Sequence, residues 1–283
     1  MINLLDYLFP AIYTMTMLLY QCSRKSMIRI CKSVLCLLIA CVFTAASADA
    51  EPDIPFAPGE RLVFELQWSF IKAGEAVLEV LPPETINGVL AHHFRLTAES
   101  AKFIDYFYKV RDKINAFADM GMTRSLLYKK EQREGKTRRN VMVRFDWEKQ
   151  ESSYTNFGKS RKPVKLLEGT FDPLSAFYYS RMFDPSDHKT IKKPITDGKK
   201  CVVGEANIIR KERITVRDKT YDTYLIEPDL KHVGGVFQKS KNAKIQVWIT
   251  ADARRIPVRL ASEVIVGSFV GELVSAEGLK EIP

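Results

Sequence analysis

Past residue 48 this sequence holds a single cysteine, Cys201; the other four, at 22, 31, 36 and 41, crowd the amino terminus. No disulfide can form within residues 49–283, so packing alone must stabilise them. The lone thiol reads as a small buried hydrophobe rather than a nucleophile. Histidine is scarce as well, confined to His92, His93, His188 and His232. The first two are neighbours on a strand-like run and therefore point to opposite sides, which denies them a shared metal ion. Beyond residue 48 there is no C-x-x-C, no H-E-x-x-H, no phosphate-cradling glycine loop and no G-x-S-x-G; Gly267-Ser268-Phe269-Val270-Gly271 has the wrong spacing for a nucleophile elbow. No catalytic residue, metal ligand or cofactor can be nominated, and an enzyme is not the expectation. The one enzymatic alternative is an uncatalogued hydrolase with a carboxylate pair hidden among the many acids.

The amino terminus carries a different message. Arg29 and Lys32 follow Met27, the apolar run 34-VLCLLIACVFT-44 comes next, and Ala46-Ser47-Ala48 supplies small residues before Asp49. That order is the anatomy of an export signal, and the run is too short for a membrane span of about 20 residues. Residues 1–48 are read as the signal region, with Met27 as the better start and cleavage before Asp49 or after Ala50. A lipobox reading of Leu38-Ile39-Ala40-Cys41 is the alternative: Cys41 would be lipidated and the protein anchored to a membrane. The bulky Val42 and Phe43 favour plain cleavage and a periplasmic location.

Residues 49–283 then form a single β-rich domain with 39 basic and 33 acidic residues, a net of +6. In an exported protein that balance points to anionic lipid headgroups, lipopolysaccharide or cell-wall polymer as peripheral contacts rather than nucleic acid. It fits a plain solvated surface equally well. The stretch 127-LYKKEQREGKTRRN-140 packs six basic residues around a Glu-Gly-Lys centre. It reads as a charged hairpin tip that discourages edge pairing, or as a contact for an anionic envelope polymer.

Apolar residues alternate along most of the chain. Leu62, Phe64, Leu66, Trp68 and Phe70 share one face of a strand; Ala76, Leu78 and Val80 repeat the pattern after Lys72-Ala73-Gly74, where a hairpin is expected. Asn87-Gly88 is the strongest turn signal, with others at Glu134-Gly135, Asp197-Gly198 and Asp218-Lys219. In 245-IQVWITADARRIPVRL-260 two strands flank a turn at Ala251–Arg254, and Pro257 marks the second as an edge or a bulged strand. No ten-residue helical pattern separates the strands, which excludes a βαβ sheet. The fold class is all-β: a curved antiparallel meander, an open or spiral-like barrel, with one short aromatic helix packed on it.

That helix is 171-FDPLSAFYYSRMF-183. Asp172 suits the N-cap and Pro173 the first helical position, with Phe171 placed to staple onto the first turn. Leu174, Phe177, Tyr178 and Arg181 fall on one face, and Asp184-Pro185 ends the segment. So short a helix needs a packing partner, and the concave side of the sheet is the natural one.

Three blocks occur in order: 56-FAPGERLVFELQW-68 with Ala73-Gly74-Glu75-Ala76, then Phe171-Asp172-Pro173-Leu174-Ser175, then 247-VWITADARRIPVRL-260 with Ile265-Val266-Gly267. Together they resemble the exported bacterial family known as domain-of-unknown-function 3108, over roughly residues 55–275. The resemblance implies a periplasmic or envelope-associated β protein and brings no reaction with it. The Trp248 hairpin is also similar, over about fourteen residues, to one in half-barrel lipoprotein carriers. An apolar or lipid ligand is therefore the first functional expectation, with Trp68, Phe177 and Tyr178 as candidate lining of a cavity. A monomeric protein that serves envelope integrity through another envelope protein, with no small ligand, is the alternative.

Overall fold

Period-two alternation makes most of this chain pair with itself. The computed structural model describes residues 54–231, 244–264 and 267–281. The expected export region 1–48 with Met27 and Cys41, and likewise His232 and the Ile265-Val266 pair, lie outside these described residues.

The chain enters β1 (Arg61–Trp68), β2 (Ile71–Ile86), β3 (Val89–Ser100), β4 (Arg111–Asp119), β5 (Ser125–Glu134), β6 (Thr137–Asp146) and β7 (Glu151–Asn156), each antiparallel to the last. Two short strands, β8 (Lys159–Ser160) and β9 (Val164–Lys165), both pair with β7. A helix, α1 (Pro173–Ser180), separates these from β10 (Thr190–Thr196), β11 (Cys201–Val216), β12 (Lys219–Pro228), β13 (Lys244–Thr250), β14 (Pro257–Val264) and β15 (Gly267–Glu277). The second run is again antiparallel throughout. Two meanders thus arise, and β15 joins them by pairing with β1, for example Leu66 opposite Gly271. That long-range closure has no local signature in the sequence.

The path runs from β10 through β15 and β1 to β8 and leaves the sheet open. Its curvature brings the two ends together by packing. At Gly198, in the β10–β11 turn with φ +83°, an added Cβ would lie 2.7 Å from Val143 of β6 and 3.0 Å from Tyr154 of β7. Lys199 reaches over the Tyr154 ring, and Phe171 bridges Ile195. The sheet stays open there, its ends meeting through side chains and, among the described residues, not through a ladder.

The structure departs from the local expectations in three places, at one of them only in part. Lys72-Ala73-Gly74 is not the hairpin turn; the turn is Ser69-Phe70, between the paired Trp68 and Ile71. Gly74 instead permits close approach of two strands, since a Cβ there would sit 2.2 Å from the Glu99 carbonyl oxygen. Of the two expectations for Pro257 the edge fails and the bulge holds: β14 lies between β13 and β15, and the proline faces a register shift between Trp248 and Ile249. The helix stops at Ser180, with Arg181 as its C-cap, short of the expected residue 183. A further short helical turn, a 3-10 turn at Ile104–Tyr106, sits in the β3–β4 loop. The charged hairpin is β5–β6, turning at Gly135 with φ +49°.

Candidate functional site: an apolar cavity floored by the helix

Asp172 starts α1 as the sequence suggests, its carboxylate accepting from the backbone N–H of Leu174 (2.9 Å) and Ser175 (3.0 Å). Ser125 of β5 ties the cap to the sheet: its hydroxyl donates to Asp172 Oδ2 at 2.6 Å and accepts from the Asp172 N–H at 2.9 Å. Burial pushes the Asp172 carboxyl well above the usual range, while the Ser125 and backbone hydrogen bonds pull it down. At the other end, Arg181 and Glu60 are each 1% exposed and form a bidentate pair at 2.5 and 2.9 Å. Arg181 also donates to the Arg254 carbonyl at 3.0 Å. Two buried polar anchors therefore hold a helix too short to persist alone.

Between the anchors the helix offers two aromatic neighbours to different surroundings. Tyr178 is fully buried, stacked on Phe94 at 4.0 Å and edge-on to Phe56 at 5.2 Å. Its hydroxyl finds no hydrogen-bond partner, and burial raises its ionisation far above the normal tyrosine value. Phe177 faces the other way, with Pro173 and Leu174, into a cavity of about 490 Å³. Of the nineteen residues lining that space only Gln67, Tyr128 and Ser262 have polar side chains, so a ligand inside must be apolar. Burial and the nearby Asp172 charge raise the ionisation of Tyr128, which keeps its hydroxyl neutral.

The cavity exists because small residues occupy strand positions that face it. Ala76 of β2 and Ala98 of β3 are registered opposite each other, and Gly271 of β15 lies between Leu66 and Leu260. No side chain reaches across from these positions, and the volume stays unfilled. From the helix the lining passes Leu78, Leu96, Ile114 and Leu260 and ends near Gln67, Phe269 and Val270, at the strand ends remote from α1.

Of the three expected lining residues, only Phe177 lies on the wall. Trp68 sits at the mouth, 42% exposed and stacked on Phe269, which does line the cavity. Tyr178 belongs to the core, because consecutive helical residues are rotated by about 100° and cannot share one surroundings. The alanines and Gly271 were missed by the sequence reading. Their signal was a small residue in the inward phase of an otherwise bulky strand.

His92 and His93 are both buried: His92 bonds the Met120 carbonyl, and His93 lies between Asn115 and Glu84. Among the described residues no group of three or more His, Cys, Asp or Glu is placed to hold a metal ion.

The beta-barrel-like protein of domain of unknown function DUF1849 from Brucella abortus matches over 80% of this chain and 99% of its own, with a TM-score of 0.51 and 11% identity. That likeness concerns the fold. The hypothetical protein CT021 from Chlamydia trachomatis covers 80% of this chain and 90% of its own at TM-score 0.34 and 6% identity. A candidate exported protein with a YmcC-like fold from Bacteroides fragilis covers 79% and 97%, at TM-score 0.34 and 8% identity. The last two are too distant to carry an argument. The search of curated proteins gives no match. The family model described as protein of unknown function, DUF3108, matches residues 63–274, most of the chain including every strand that lines the cavity, and the chain belongs to that family.

Proposed function

We propose that this chain is an exported cell-envelope protein that holds a long apolar chain, a lipid acyl chain foremost, in the cavity above α1. The observation that carries this reading is the lining: about 490 Å³ of space with almost no polar side chain on its wall. That volume lies in the ~300–1,000 Å³ range of small-molecule sites. Magnitudes favour length in the ligand. Each buried methylene contributes about 0.8 kcal/mol, so ten contribute about 8 kcal/mol. Association costs about 4–15 kcal/mol in lost freedom, so a short chain would not stay bound. Gln67 and Ser262 near the mouth suit the polar end of such a ligand. The export signal before Asp49 supports the periplasm as the compartment in which it would be met.

The test is native mass spectrometry of protein recovered gently from the periplasm, paired with uptake of a fluorescent fatty-acid probe. A bound lipid mass, or saturable uptake abolished by Ala261→Phe, is expected, because that substitution fills the cavity from its wall. A protein that carries no lipid and ignores the probe would overturn the reading in favour of a ligand-free interaction role in the envelope.

A further inference from the structure

Strand register sorts the loops of this sheet into two sets. The β1–β2 turn follows Trp68, which pairs with Phe269 at the start of β15. Ala101, opening the β3–β4 loop, donates its N–H to the Ala73 carbonyl at 2.8 Å. The far side of that loop pairs with the β5–β6 tip through Val110 and Glu134, and β7 ends beside β6 at Asn156 opposite Val141. These turns therefore share one end of the sheet, the end at which the cavity opens.

All eight exposed aromatic side chains of the described residues lie on this rim and none at the helix end. Phe70, at the tip of the first turn, is 98% exposed. The β3–β4 loop carries four, of which Tyr106 and Phe107 are 89% and 86% exposed. Phe157 stands on the β7–β8 turn, and the stacked Trp68–Phe269 pair borders the mouth. Chance surface exposure would scatter such residues over both ends.

The backbone at Phe70 adds a second observation. Ser69 and Phe70 have φ of +46° and +79°, the pair of positive values for which a two-residue hairpin favours Asn-Gly. A bulky residue there is strained, and a strained, fully exposed phenylalanine contributes nothing to the fold that glycine would not supply better.

Charge supplies the third. Beside the aromatics lies a cleft of about 510 Å³ lined by Lys109, Arg111, Arg133, Arg138 and Arg139, against the single carboxylate of Glu131. Asp105 holds Arg111 at 2.7 Å, whereas the side chains of Arg133 and Arg139 have no ion pair among the described residues. Gln132, buried at the cleft wall, has a side-chain carbonyl oxygen with no hydrogen-bond partner, an acceptor that a headgroup hydroxyl or ammonium would satisfy.

We propose that this rim docks the protein on an anionic lipid bilayer. Aromatic tips enter the interface between headgroups and acyl chains, where their rings are favoured, and the arginine cleft takes the phosphates. The aromatics stand on separate protruding turns, which suits a soft interface better than one flat protein partner. Docking would set the mouth of the cavity against the membrane. It rests on residues outside the cavity wall apart from Phe269, and stands whether or not the cavity holds a chain.

The test is co-sedimentation of the protein, in the form recovered from cells, with vesicles of phosphatidylethanolamine and phosphatidylglycerol or of phosphatidylcholine alone, at ~0.15 M salt. Any contribution of the amino-terminal residues is common to all variants. The wild type is expected to pellet with the anionic vesicles and weakly with the neutral ones. Arg138→Glu with Arg139→Glu should lower anionic binding by about tenfold or more. Phe70→Gly with Phe107→Ser should lower it on the order of tenfold, although Phe70→Gly by itself raises Tm. A gain in Tm with a loss of binding separates a docking role from a structural one. A wild type that stays in the supernatant with both vesicles, or aromatic variants that pellet like the wild type, would overturn the proposal. Probe uptake by the cavity is read separately on the same variants, so that failure of docking and failure of ligand binding are distinguishable.

Discussion

At the helix end of the sheet, polar groups are buried and paired. Glu60 and Arg181 lock together at 1% exposure, and Asp172 gathers three hydrogen-bond donors around a desolvated carboxylate. At the rim end apolar groups are exposed and the backbone at Ser69-Phe70 is strained. The first arrangement costs desolvation and returns it through geometry; the second exposes surface that the fold itself does not use. The contrast separates two uses of side chains: one end pins the helix, and the other exposes apolar surface that the fold does not bury.

Breaking the helix end should cost most. Arg181→Met leaves the Glu60 carboxylate buried without its partner, and a loss of about 3–5 kcal/mol is expected in urea unfolding. Adding Glu60→Gln should recover part of that loss, because the penalty lies in the orphaned charge. A small effect of Arg181→Met would mean that water reaches Glu60 and that this end is not dry.

Asp172→Ala should cost about 0.5–2 kcal/mol, towards the upper end because the freed N–H groups of Leu174 and Ser175 are buried. Asp172→Asn keeps an acceptor for them and should retain most of the stability. It should also remove a pH dependence. The folded carboxyl lies above its unfolded value, so this group favours the fold below the normal carboxylate range and loses that contribution as pH rises through the folded value. Equal slopes for Asp172→Asn and wild type across acid pH would contradict this.

Phe70→Gly sharpens the comparison from the rim side, with an expected gain of about 1 kcal/mol as the positive-φ strain is relieved. A loss would show that Phe70 packs on the fold after all.

The smallest expected effect belongs to His92. Burial lowers its ionisation while the Met120 carbonyl partly opposes it, so the unfolded chain binds the proton more readily. Stability should be complete above about pH 6.5 and decline as pH falls below that value. His92→Gln should flatten the decline, measured as Tm between pH 7 and pH 5.

Much of the fold was legible because its causes are local. Alternation marked the strands, Asn87-Gly88 marked a turn, and Phe171-Asp172-Pro173 marked the start of a helix that begins where those residues place it. Gly74 was misread because a glycine needed for close strand approach looks the same in sequence as one needed for a turn. Of the three residues named as lining, Phe177, chosen from its helical spacing, borders the cavity. Trp68 was placed one step too far inside, and Tyr178 on the wrong side of the helix.

The sequence by itself determined an antiparallel β protein with one capped helix and family membership spread over three blocks. Only the tertiary structure decided that β15 closes onto β1, that Glu60 waits for Arg181, and that Ala76, Ala98 and Gly271 surround one empty volume. It alone also gathered Phe70, Phe107 and Phe157 on one rim. The physical reason is range. Periodicity, capping and turn chemistry act between residues a few positions apart, whereas a cavity or a rim is made by side chains whose meeting depends on the register of every strand between them.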